Sequence, residues 1–171
     1  MRDRESQRAQ QAEAEPPERF VAVHADVQEA LRNWEKKAAG HRPVAKKVAS
    51  LMEALVRNQE ETVQALLRQL DRDPIRDSSG LVELGPKQSK GGAPRVFLLR
   101  DFSCAFFVAA GAEKGSSGVK IDVAKNRADE IRRLFGKAGK KSGTKEERSR
   151  ATRQIAGPTG PYRIITMEVG R

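Results

Sequence analysis

The sequence predicts an α+β fold: a small, mostly antiparallel sheet packed against a helical hairpin, with a basic C-terminal extension. Three observations predict it. Residues 27–70 carry apolar side chains at three- and four-residue spacing, the period of an amphipathic helix. Residues 81–123 carry short apolar runs separated by turn residues, the pattern of strands. From Gly136 onward the chain is basic and poor in large apolar groups. Helices followed by a run of strands place the helices together on one face of the sheet.

Residues 1–18 are polar, end in Pro16-Pro17 and read as a solvated tail. The domain then spans 19–136, and 137–171 forms the extension. Phe20–His24 reads as the first strand. Asp26 reads as a helix N-cap, with Glu29 three residues later completing a capping-box-like pair. Val27, Ala30, Leu31 and Trp34 share one face of that helix, and Gly40 ends it. Pro43 suits the first turn of the next helix, whose face is Val44, Val48, Leu51, Met52, Leu55 and Val56. Asn58 caps a third helix bearing Val63, Leu66, Leu67 and Leu70, or else 43–71 is one long helix. Asp73-Pro74 stops it in either case.

Leu81–Leu84 reads as a strand, and Gly85–Pro94 as a loop carrying Lys87 and Lys90. Arg95–Leu99 and Phe102–Ala109 read as a hairpin turning at Arg100-Asp101, and Val119–Val123 as the next strand. Asp122 or Asn126 opens a closing helix with the face Ala128, Ile131, Leu134 and Phe135. The extension reads as flexible, with a short helix capped at Thr144 and a final strand-like run over Tyr162–Val169 that needs a sheet edge to pair with.

Composition narrows the function. The 171 residues carry a formal charge of +10, which favours an anionic partner: nucleic acid, an anionic membrane or an acidic protein. The longest apolar run is far shorter than a membrane span, and the N-terminus lacks the apolar core of a secretory signal. One cysteine, Cys104, allows no internal disulfide; with its apolar neighbours it reads as a buried structural thiol in a reducing compartment, the cytoplasm by default. Two histidines and one cysteine without ligand spacing make no zinc set, and no glycine-rich phosphate loop is present in the sequence, so no cofactor is expected.

Three segments carry a family resemblance. They are FVAVHADVQEALRNW (Phe20–Trp34), RVFLLRDFSCAFFV (Arg95–Val108) and VKIDVAKNR (Val119–Arg127). In order and pattern they resemble the opening strand and helix, the central hairpin, and the last strand with its basic end in the RelE/ParE/HigB superfamily of bacterial type II toxins. The resemblance covers residues 20–135. It implies RNA binding, metal-independent RNA cleavage, and an antitoxin-like protein partner. In such cleavage, cationic side chains stabilise the pentacovalent phosphate while a base activates the ribose 2′-OH. Arg95, Lys125 and Arg127 are the candidates for that role by their position in the matching segments. Lys87, Lys90, Arg100, Lys120, Lys137, Lys140, Lys141 and Arg148 are the expected nucleic-acid contacts. Two departures weigh against cleavage: Ser103 and Ile131 stand where family members commonly carry an arginine and a tyrosine. His24 and His41 are the alternative acid and base. A non-catalytic ribonucleoprotein accessory and a helical protein-interaction module are the competing readings.

Overall fold

A computed structural model describes residues 19–36, 41–78, 80–86, 94–112, 117–138 and 144–165. The elements run β1 (Val21–His24), α1 (Ala25–Lys36), α2 (Arg42–Val56), α3 (Glu60–Gln69), β2 (Asp71–Pro74), β3 (Leu81–Gly85), β4 (Arg95–Asp101), β5 (Cys104–Gly111), α4 (Ser117–Ala138), α5 (Lys145–Ala156) and β6 (Tyr162–Ile165). The fold is α+β, with a six-stranded mixed sheet in the order β2-β3-β4-β5-β1-β6. Its β1–β5 pair is parallel and the other neighbours are antiparallel. No helix among the described residues is long and apolar enough to cross a membrane.

The helices cover both faces of the sheet, not one. Val27, Trp34, Val48, Leu51 and Val63 of α1–α3 pack on Val21, Val23, Leu98 and Phe107. On the opposite face Ala124, Ala128, Ile131 and Phe135 of α4, with Ala151 and Ile155 of α5, pack on Ala22, Phe97, Leu99, Phe106 and Val108. Strand β5 lies between the two layers and is buried from Cys104 to Ala110, as expected of a strand covered on both sides.

Residues 119–123, expected as a strand, lie in α4. Val119, Ile121 and Val123 alternate as a strand would, but no Gly or Pro separates them from the helical spacing that follows. The sheet face bearing Phe97, Leu99 and Phe106 needs an apolar cover, and a helix continuous with Ala124–Phe135 supplies it. The segment expected as a flexible extension also joins the fold. Thr144 caps α5 as anticipated, its Oγ1 accepting the Glu147 N–H at 3.1 Å, and β6 pairs antiparallel with β1. Residues 166–169 of the expected strand lie outside the described residues.

The helical region 43–71 is two helices. Asn58 stands at φ +56° just past α2, where the Asn58 N–H donates to the Leu55 carbonyl at 3.2 Å and the Gln59 N–H to Ala54 at 2.9 Å. That pair of bonds is a Schellman motif, and asparagine is among the few non-glycine residues that tolerate its left-handed position. Asn58 therefore closes one helix instead of opening the next. The chain then adds an edge strand, β2, that the sequence pattern does not show: Asp71-Arg72-Asp73-Pro74 is exposed throughout, charged, and carries the proline that blunts a sheet edge.

The hairpin turns at Phe102-Ser103, two residues later than expected. Asp101 pairs with Cys104, and the two central residues take φ +55° and +62°. Two-residue hairpins need this left-handed backbone to match strand twist, and Asn-Gly usually provides it. Here Asp101 Oδ1 accepts the Phe102 N–H at 2.8 Å and supports the turn.

Candidate nucleic-acid interface

Charge is divided unequally between the two helical layers. Helices α4 and α5 carry ten Lys and Arg against five Asp and Glu. Helices α1, α2 and α3 carry six against six. Helices α4 and α5 turn alanines and a few large apolar groups inward, and charged side chains occupy many of their remaining positions. Arg133, Arg150 and Arg153 are exposed, and Lys125 is half-buried. Lys120 and Lys137 also belong to α4. Lys87, Lys90, Lys140 and Lys141 lie outside the described residues.

The two arginines expected to act in catalysis are both engaged by carboxylates. Arg95 pairs through Nη1 with Oε1 of Glu83, across the β3–β4 ladder on the side covered by α4. The Glu83 side chain is only 7% exposed and the Arg95 side chain 37%, so the guanidinium neutralises a buried acid while its outer edge reaches solvent. A buried carboxylate without such a partner would be strongly unfavourable.

Arg127 enters a second polar cluster, at the carboxyl end of β1. Strand β5 bulges opposite Phe97/Leu98, leaving Val108 unmatched in the β4 register. The Val108 carbonyl accepts from Arg127 Nη1 at 2.7 Å, and Arg127 Nη2 donates to Asp26 Oδ2 at 2.5 Å. Asp26, expected as a cap, thus serves an ion pair. The capping role passes to His24, whose Nδ1 accepts the Asp26 N–H at 3.0 Å as the chain turns from β1 into α1. An imidazole accepting at Nδ1 carries its neutral-form proton at Nε2. Burial, then the Arg127 charge, lowers the His24 pKa below its ordinary 6.5, with Asp26 and Glu130 opposing.

Tyr162 stands opposite His24 across β1–β6, their rings edge to face at 5.0 Å. Burial pushes the Tyr162 phenol far above its ordinary value, and its hydroxyl has no hydrogen-bond partner among the described residues. The phenol stays neutral at physiological pH. His41, the other candidate base, instead sits edge to face with Trp34 at the start of α2 and is separate from this cluster. Trp34 is buried in the core, as its place on the helix face suggests.

A pH effect follows. Because the folded state holds His24 less basic than the unfolded chain, its contribution is complete above pH 6.5 and is lost as pH falls through the lowered folded pKa. His24→Asn should flatten the fall in unfolding free energy between pH 7 and pH 5, as measured by urea titration at both values. An unchanged slope would mean that the imidazole titrates alike in both states.

The remaining expected contact residues fall at the other end of the sheet. Arg100 makes two bonds to Glu60 of α3, at 3.0 and 3.2 Å, and these bonds hold the Glu60 carboxyl below its ordinary range. Arg148 of α5 reaches the hairpin turn, donating from Nη2 to the Phe102 carbonyl at 2.7 Å and to Cys104 Sγ at 3.3 Å. Burial raises the Cys104 thiol pKa, which fits a structural and unreactive thiol.

Sequence reasoning found Arg127 and His24 separately, and the fold brings them together through Asp26. It missed Asp26 and Glu83 as partners of ion pairs and Tyr162 as the ring packed against His24. Glu83 did carry a signal, since an acid inside the short apolar run LVELG needs a cation on a neighbouring strand. Among the described residues no three metal-ligating side chains gather. The chain matches no protein-family model, no curated protein and no solved structure.

Proposed function

We propose that this chain binds RNA through the layer formed by α4 and α5, together with the lysine-bearing segment that joins them. The observation that supports this is the division of charge: a net excess of five cations on one helical layer and none on the other. Such a layer neutralises phosphates without reading bases. The protein keeps the binding half of the toxin-like expectation. Of the three segments that carry that resemblance, the last is helical here, and Arg95 and Arg127 hold carboxylates in place. Binding without cleavage is therefore the activity we assign, with an antitoxin-like partner as a further expectation of the resemblance.

The test is a salt titration of binding to a single-stranded RNA. The logarithm of the affinity should fall linearly with the logarithm of salt concentration. Changing exposed Arg133, Arg150 and Arg153 together to Ala should make that slope shallower by about 2, at roughly 0.7 for each phosphate no longer neutralised. The pair Lys46→Ala and Lys47→Ala, on the neutral layer, should leave it unchanged. Incubation with EDTA should leave the RNA intact. Equal effects of the two sets of substitutions would remove the α4–α5 layer as the interface.

A further inference from the structure

A groove of about 820 Å³ opens at the end of the sheet opposite His24. Leu55 and Val56 at the end of α2 and Ile165 of β6 give it an apolar floor. Arg19, Asn58 and the hairpin turn form its polar rim. Four non-glycine residues with positive φ occur among the described residues, and three of them, Asn58, Phe102 and Ser103, line this groove. Asn58 closes α2 and Phe102-Ser103 turn the hairpin, so two tight backbone turns frame this concave surface.

The two rim guanidiniums differ. Arg100 is bound twice by Glu60. Arg19 donates to the neutral Asn58 Oδ1 at 2.7 Å and forms no direct ion pair among the described residues; its charge acts on Glu60 only at longer range, so a ligand anion at Arg19 displaces no salt bridge. Arg148 of the basic layer braces the same hairpin turn through the Phe102 carbonyl. The groove and the α4–α5 layer therefore meet at one structural element. A volume of this size suits a small organic ligand. An apolar floor suits the face of a base, and a guanidinium suits a phosphate.

We propose that this groove receives one nucleotide of a bound single-stranded RNA, with the base against Leu55, Val56 and Ile165 and the phosphate at Arg19. The proposal rests on the RNA-binding reading and gives that reading a base-accepting subsite.

The experiment titrates the full chain with a nucleoside monophosphate and follows backbone amide shifts by NMR, with inorganic phosphate and a fatty acid as parallel probes. Shifts should concentrate at residues 19–21, 55–58 and 100–105. Arg19→Glu should weaken the nucleotide at least tenfold, and Val56→Trp, which fills the floor, should abolish the shifts while circular dichroism and melting stay native. Phosphate alone should produce only weak shifts near Arg19. If RNA binds with its salt slope but the nucleotide leaves the groove amides unmoved, the subsite is overturned and the RNA reading stands. If the nucleotide fills the groove but RNA does not bind, the RNA reading fails and the groove stands as a mononucleotide site. Filling by the fatty acid alone overturns the proposal.

Discussion

Phe106→Ala and Phe107→Ala should each lower the free energy of unfolding by about 4 kcal/mol, near the middle of the range for buried phenylalanine truncations. Both rings are completely buried, and as strand neighbours they point to opposite faces of β5. Phe107 belongs to the core under α1–α3. Phe106 belongs to the core under α4 and α5, with its ring centroid 5.7 Å from Phe20 and 5.6 Å from Phe135. Each truncation leaves a cavity that rigid neighbours on a central strand cannot close. The pair tests the architecture: with helices on one face only, one of the two rings would face solvent and its loss would cost little. Chemical denaturation of both variants decides it, and a near-neutral result for Phe106→Ala would remove the α4–α5 layer from the fold.

Arg95→Ala should destabilise by about 3 kcal/mol, since removing one partner of a buried pair costs about 3–5 kcal/mol and solvent at the exposed edge of Arg95 relieves part of it. The mechanism is the Glu83 carboxylate left within the β3–β4 ladder without its counter-charge. The double variant Glu83→Leu, Arg95→Leu should recover most of the loss, because an apolar pair of similar size needs no compensation. A catalytic arginine would behave otherwise: its loss would abolish activity with little change in stability, and replacing Glu83 would rescue nothing. Urea denaturation of the two single variants and the double completes the cycle. If Arg95→Ala unfolds like the parent, the ion pair has no part in holding the sheet.

Several elements were legible in the sequence because their signals are local. The helical spacing of Val44–Val56, the Thr144 cap and the strands around Leu81, Arg95 and Cys104 depend on residues a few positions apart. The misreadings also have local causes. Val119–Val123 alternates over five residues, too short a window to separate a strand from the start of a helix. Asp71–Pro74 has no apolar face at all, since an edge strand gains its order from the neighbour it pairs with. Phe102-Ser103 is not an expected left-handed pair; the strands on either side impose that turn on it.

The site divides in the same way. Basic character, the lone buried thiol and the candidacy of Arg95, Arg127 and His24 all follow from residue type and neighbours. Which arginine is bound to which acid does not. Arg127 meets Asp26 across 101 residues and Arg148 meets Phe102 across 46, so those contacts exist only once the sheet has set the ends of its strands side by side. That the chain is α+β and strongly basic can be read directly from its residues, because composition and short-range periodicity are written position by position. That the sheet is covered on both faces, and that the excess charge gathers on one of them, emerges only from packing. A face is a property of which elements come together, and that is settled by burying the apolar surface of β5 from both sides at once.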